Sequence, residues 1–148
     1  MSGDNIMCKA AEVGKIVINK CIDNGLFIDP QKLQKLLVLM QVECIKRSRK
    51  PLFKEDICIW SCGVAIKEVD EEFRGIGGKF VEKQIEYINL LEQEEKSVNY
   101  IIEQYGTKDA IELNMMPVVQ KVISLAVQPL DSNTPHVSYQ ILMGAFLE

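Results

Sequence analysis

The sequence lacks most of the residues from which catalytic and metal sites are built. It has one histidine, His136, so few arrangements of a nucleophile with a basic side chain are possible. Its five cysteines include Cys58 and Cys62, but their separation is not the usual spacing of zinc ligands and no second pair follows. We therefore expect no catalytic residue, no metal and no cofactor, and we interpret Cys58 and Cys62 as buried, unreactive thiols.

Long apolar runs, a signal peptide and an excess of basic residues are also missing. The apolar runs are much shorter than the roughly twenty residues that cross a bilayer, so we expect no membrane insertion. An odd number of cysteines without a signal peptide is typical of a reduced, cytoplasmic protein. The net charge of -4 argues against direct nucleic-acid binding, because clustered lysines and arginines make the phosphate contacts.

Helical periodicity of the apolar residues is the strongest positive signal. Asp29 and Pro30 predict a helix start, because aspartate can cap the first free amides and proline suits the first helical position. The apolar residues that follow share one face of this helix: Leu33, Leu36, Leu37, Met40 and Cys44. Lys32 and Lys35 fall off that face, so the pattern indicates one buried side and one polar side.

Further helical patterns cover most of the chain. They comprise residues 8–24, 66–73 and 90–105, a short helix capped by Thr107, a helix opened by Pro117, and a last helix opened by Thr134 and Pro135. We expect His136 to lie exposed in the first turn of the last helix. Together these patterns predict a mainly α, single-domain bundle of about six helices over residues 1–148, with residues 1–7 frayed.

Residues 57–65 interrupt the helical pattern. The stretch ICIWSCGVA contains β-branched and aromatic residues, and Gly63 can form a turn, so we predict a short β-strand or hairpin that includes the only tryptophan, Trp60. An acidic run follows on the helix predicted over residues 66–73. We expect its charged residues to face solvent: Lys67, Glu68, Asp70, Glu71 and Glu72.

Motifs in the first half of the chain fit a known family pattern. They comprise Leu33-Gln34-Lys35-Leu36-Leu37, Gln41, Pro51-Leu52-Phe53, Ile57, Trp60, Gly63, Glu68-Val69 and Phe73. With these residues the chain resembles the Panacea domain, a SocA-like or GepA-like family that is common in phages, prophages and mobile elements. The resemblance is strongest over residues 9–75. The chain departs from the pattern at Val38, Leu39, Ile59, Cys62, Val64 and Asp70, which we interpret as a retained core with a changed surface.

This resemblance implies an antitoxin whose partner is a protein, a toxin that it neutralises by direct binding. We expect the partner-binding surface to include Trp60 and the acidic residues Glu68, Asp70, Glu71 and Glu72, because acidic groups steer a protein towards a basic partner. Trp60 can anchor the contact if it is partly exposed, whereas a core position would make it structural.

Two alternative functions remain open from the sequence. A phage or mobile-element inhibitor of host defence, such as an anti-CRISPR protein, would use an acidic surface to occupy a site meant for nucleic acid. A small hydrolase or transferase would need Cys62 or His136 as its catalytic residue.

Overall fold

The computed structural model of the chain describes residues 8–128 and 134–147. Over these ranges the chain forms seven helices and three β-strands. The helices are α1 (Ala10–Asp23), α2 (Pro30–Ser48), α3 (Lys67–Glu72), α4 (Glu92–Tyr105), α5 (Ala110–Asn114), α6 (Pro117–Ser124) and α7 (Tyr139–Phe146). The strands β1 (Ile57–Trp60), β2 (Gly63–Ala65) and β3 (His136–Val137) form an antiparallel sheet in the order β2-β1-β3. The predicted mainly α fold with a hairpin in residues 57–65 is confirmed. Residues 1–7, predicted to be frayed, lie outside the described ranges.

Helix α2 lies at the centre of the structure. It packs against α1, α4, α5, α6, α7 and β2. Its start follows the sequence prediction, since the Asp29 carboxylate accepts a hydrogen bond from the Lys32 amide at 2.8 Å and Pro30 is the first helical residue. The helix ends where Arg49 takes a left-handed conformation with φ 62°. From Lys32 to Val42 every residue is buried, so α2 is covered on all sides and not on one face alone.

Two glutamines of α2 bind the backbone of neighbouring segments. The side-chain oxygen of Gln41 accepts hydrogen bonds from the amides of Leu52 (2.7 Å) and Phe53 (3.2 Å), and its nitrogen donates to the Phe53 carbonyl (2.7 Å). Gln34 likewise accepts from the Ile66 amide (2.8 Å) and donates to the Ile66 carbonyl (3.1 Å). These bonds satisfy buried backbone groups, and the Ile66 carbonyl also accepts hydrogen bonds from the Val69 and Asp70 amides at the start of α3.

Two lysines of α2 use their ammonium groups in the same way. Lys32 donates to the carbonyls of Phe27 (2.9 Å) and Gly106, and Lys35 donates to the Val64 carbonyl at 3.1 Å. Burial lowers the pKa of both lysines, because an ammonium group loses its hydration in the interior. Both side chains are therefore buried and bonded to backbone carbonyls, although their position off the apolar face of the helix predicted exposure to solvent.

Departures from the family pattern also reach the core. Val38, Leu39 and Val64 are at most 3% exposed, whereas Cys62 is exposed. The interpretation that the departures changed only the surface is wrong at the three buried positions. Apolar side chains fill these places, so the core of this chain itself departs from the family pattern.

The last part of the chain differs from its sequence prediction. His136 and Val137 form β3, so the expectation that His136 lies in a helical first turn is wrong. Helix α7 begins at Tyr139, after Ser138, whose hydroxyl accepts a hydrogen bond from a first-turn amide. The helix start predicted from Thr134 and Pro135 does not form, because the residues that follow pair as β3 with β1, a strand far away in sequence. Most of the loop predicted over residues 128–135 lies outside the described ranges.

The short helices begin and end at capping residues. Helix α5 is capped by Asp109 and not by Thr107, because the Asp109 carboxylate accepts from the Glu112 amide at 2.8 Å and the Glu112 carboxylate accepts from the Asp109 amide at 2.9 Å. Helix α6 begins at Pro117 as predicted and ends at Ser124. None of the described helices combines the length and the apolar character of a membrane span.

Residues 74–91 join α3 to α4 without a helix or strand. The stretch lies along α1, where the Asn19 side chain donates to the Gln84 carbonyl (2.8 Å) and accepts from the Gln84 amide (2.7 Å). Near its start the Phe80 ring packs edge-on against Phe73, with ring centres 5.3 Å apart. The stretch therefore forms an outer layer over α1.

Replacing Gln41 with leucine should destabilise the protein strongly. Leucine has a similar volume but leaves three backbone groups of Leu52 and Phe53 buried without partners, which should lower the free energy of unfolding by about 2–4 kcal/mol. Urea denaturation followed by circular dichroism measures the change. The matched control is Gln104→Leu at an exposed position of α4, which should change stability by less than about 0.5 kcal/mol. Equal stability of the two variants would contradict the role of Gln41.

Candidate partner-binding site

Trp60 lies at the end of β1, next to the hairpin turn. Cross-strand pairing sets it opposite Gly63, the first residue of β2. The tryptophan is half-buried, whereas the apolar residue that begins the same strand, Ile57, is fully buried. We expected Trp60 to anchor a contact only if its side chain was partly exposed. The structure meets that condition.

Two grooves meet at Trp60. The first, of about 100 Å³, lies between α2, the hairpin and α3, and the second, of about 500 Å³, lies between β1, α3 and β3. The smaller groove is lined by Pro30, Gln31, Leu33, Gln34, Trp60, Cys62, Ala65, Val69, Asp70 and Phe73. The larger groove is lined by Asp56, Cys58, Trp60, Lys67, Glu68, Arg74, Thr134 and His136. Because Trp60 lines both, a partner that fills either groove contacts this residue.

The acidic residues of α3 do not form one uncompensated patch. Three of them are in ion pairs, which are Asp70–Arg74 (3.0 Å), Glu71–Lys67 (4.0 Å) and Glu72–Lys15 (3.5 Å). Glu68 has no ion pair within the described part of the chain, and it lines the larger groove with Trp60. Asp70 lines the smaller groove, whereas Glu71 and Glu72 line neither. The structure therefore brings three of the five predicted site residues together at the grooves.

Cys58 and His136 are cross-strand neighbours in β1 and β3, and both line the larger groove. His136 Nε2 lies 3.9 Å from Asp56 Oδ2. Burial, followed by the carboxylates of Asp56 and Glu68, raises the pKa of the Cys58 thiol. A nucleophilic cysteine needs a lowered pKa, so this arrangement does not favour thiol catalysis.

The two cysteines of the hairpin are less buried than the sequence predicted. Cys62 is exposed and Cys58 is half-buried, so the prediction of two buried thiols is wrong. The reason is that Cys62 lies in the turn between β1 and β2, outside the strand ladder. Cys62 and His136 line different grooves and are not brought together. Within residues 8–128 and 134–147, no cluster of His, Cys, Asp and Glu is placed to hold a metal ion.

Asn114 is a site-supporting residue that sequence reasoning missed. Its side-chain oxygen accepts a hydrogen bond from the Val64 amide at 3.1 Å, which ties the end of α5 to the hairpin. Gly63 has a φ of +111°, and a Cβ atom at this position would overlap the Asn114 side chain. Lys35 of α2 holds the carbonyl of the same Val64. Two helices therefore fix the hairpin that carries Trp60, and no local pattern marks Asn114 because its partner lies 50 residues away.

Comparison with known proteins gives a family match. The family model described as "Antitoxin SocA-like, Panacea domain" matches residues 33–122. This range contains the hairpin, α3 and all of α4, α5 and the buried part of α2 from Leu33 onwards. No curated protein and no solved structure matches the chain.

Gly63→Ala should loosen the hairpin, whereas Gly77→Ala should leave the protein unchanged. An alanine at position 63 must keep a φ that L-residues rarely adopt and must displace Asn114, which should cost about 1–3 kcal/mol. Gly77 has a φ outside the left-handed region and open space around it. Thermal unfolding of both variants measures the difference. An unchanged Tm of the Gly63 variant would contradict the contact between Gly63 and Asn114.

Proposed function

Because this chain belongs to the SocA-like Panacea antitoxin family, we propose that it neutralises a toxin by direct protein–protein binding in the cytoplasm. Such an activity requires a surface complementary to the partner, and it needs no reaction centre. The observation that carries the proposal is the partly exposed Trp60, which lies between two grooves on a fixed hairpin.

A tryptophan on a rigid support makes a strong anchor. Its ring buries a large area in a contact, and tryptophan is enriched among the residues that dominate binding energies. The hydrogen bonds of Asn114 and Lys35 to Val64 hold the hairpin, so little backbone freedom is lost when a partner binds. We infer that an apolar side chain of the toxin packs against Trp60 in one of the grooves.

Glu68 gives this surface its charge preference. Its carboxylate is exposed beside Trp60 and has no ion pair in the described part of the chain, so its charge is available to a partner. A net charge of -4 for the whole chain acts in the same direction at long range. We therefore infer a toxin with a basic contact surface, which the acidic groups would steer into place.

The paired acids Asp70, Glu71 and Glu72 play a smaller part. The Asp70–Arg74 and Glu71–Lys67 pairs are exposed and contribute between zero and about 1 kcal/mol each, whereas Glu72 pairs with Lys15, whose side chain is only 12% exposed. Basic groups of a toxin can replace Arg74 or Lys67 as ion-pair partners at little cost in free energy. We assign these three residues to the polar rim of the contact.

Co-expression with the gene encoded beside this chain tests the proposed function. The neighbouring product should arrest growth when it is expressed alone, and growth should recover when this chain is present. The Trp60→Ala variant should fail to restore growth and should weaken binding by about 2 kcal/mol, because it removes the anchor. Glu68→Lys should slow association, most strongly at low salt.

Matched control variants test the assigned binding surface separately from the antitoxin function. Ile111→Ala on α5 and Glu103→Lys on α4 change an exposed apolar residue and an exposed glutamate outside the proposed surface, and both variants should bind as the wild type does. A neighbouring product that is harmless alone would refute the antitoxin function. Unchanged binding of Trp60→Ala, with growth restored, would leave the function standing and refute the assigned surface.

A further inference from the structure

The segment before α4, residues 83–91, carries exposed apolar side chains at alternate positions. Ile85, Tyr87 and Leu91 are each 69% exposed. Exposed and partly buried residues alternate along most of the segment, as in an extended chain, and the intervening Ile88 packs against the core. A row of large apolar side chains in solvent is typical of an interaction surface.

The backbone of this segment is paired along one edge only. Asn19 of α1 binds both the amide and the carbonyl of Gln84, at 2.7 and 2.8 Å. Successive residues of an extended chain direct these groups to opposite edges, so the neighbours of Gln84 direct theirs away from α1. No hydrogen bond from the described residues reaches the backbone of Ile85 or Tyr87. The outer edge of the segment is therefore open to a pairing strand.

The charges around the segment select a basic partner. The stretch from Glu82 to Glu95 contains five glutamates and one lysine, Lys83, and two of the glutamates, Glu92 and Glu95, pair with Lys96 and Lys20. Lys83 is neutralised by Asp23 at 2.6 Å, whereas Glu82 and Glu86 have no ion pair among the residues that the structure describes. A second copy of this chain, paired antiparallel about Tyr87 at the centre of the segment, would set Glu82 of each copy opposite Glu92 of the other. Charge therefore disfavours self-pairing and favours a cationic strand.

Lys15 of α1 connects this segment to the surface around α3. Its Nζ lies 5.1 Å from the centre of the Tyr87 ring and 3.5 Å from a carboxylate oxygen of Glu72. The segment and the acidic face of α3 are thus neighbours, and one partner can cover both.

We propose that residues 83–91 belong to the toxin-binding surface, and that an extended, basic segment of the toxin adds to them as a β-strand. The inference rests on the antitoxin function proposed above. Main-chain hydrogen bonds to the open edge would supply affinity, and contacts with Ile85 and Tyr87 would supply specificity.

Amide hydrogen exchange on the complex with the neighbouring toxin tests strand addition. The amides of Ile85 and Tyr87 should exchange more slowly in the complex of the wild-type chain, because carbonyls of the toxin replace water as their partners. The double variant Ile85→Ser/Tyr87→Ser should bind the toxin about tenfold more weakly or worse. Its matched control is Ile111→Ser/Met115→Ser, which removes similarly exposed apolar side chains at α5 and should bind as the wild type does.

The outcomes of these experiments distinguish strand addition from the antitoxin function on which it rests. Growth restored by the wild type and by the Ile85→Ser/Tyr87→Ser variant, with unchanged exchange in residues 83–91, would refute strand addition and leave the antitoxin function standing. A dimer of the free chain that this variant dissociates would assign the segment to a second copy and overturn the proposal. A wild-type chain that fails to restore growth would refute the antitoxin function and this inference with it.

Discussion

Hydrogen bonds from buried polar side chains of α2 to the backbone of neighbouring segments hold the rest of the structure in place. The short strands and loops around this helix have too few ladder partners to satisfy their own amides and carbonyls. Gln41 satisfies the amides of Leu52 and Phe53. Gln34 satisfies the amide of Ile66. Because these bonds are buried, removing one partner leaves the other unsatisfied, at a much higher cost than in solvent. Helix α2 is therefore both the centre of the core and the template on which the hairpin is held.

Local sequence signals predicted much of this fold. They failed where contacts between residues far apart in sequence determine the structure. The helix start at Asp29 and Pro30 was predictable because capping depends on residues within one turn. The hairpin in residues 57–65 was predictable from its β-branched residues and a glycine. The burial of Lys32 and Lys35 was not, because periodicity assigns polar residues to solvent and contains no information on carbonyls that arrive from elsewhere in the chain.

The candidate site was less predictable than the fold, because its parts come from separate elements. Trp60 and Glu68 were identifiable from residue type and from the acidic run, and they do line one groove. The pairing of Asp70 with Arg74 follows from helical spacing and was within reach of the sequence. By contrast, the ion pair that Glu72 makes joins α3 to α1, and only the fold brings those helices together. Counting acids along the chain therefore overstated the charge that is available to a partner.

The side chains that fix the scaffold are separate from those that are available to a partner. Gln34, Lys35 and Asn114 use their polar atoms on the backbone around the hairpin, so a change at any of them disturbs the fold. The side chains of Trp60 and Ile85 make none of these bonds, and a change there alters the surface while the hydrogen bonds beneath it remain. A family built on such a scaffold can keep its fold while its members exchange one protein partner for another. Stability thus depends on the buried polar residues of α2, and the residues proposed to contact a partner can change independently of them.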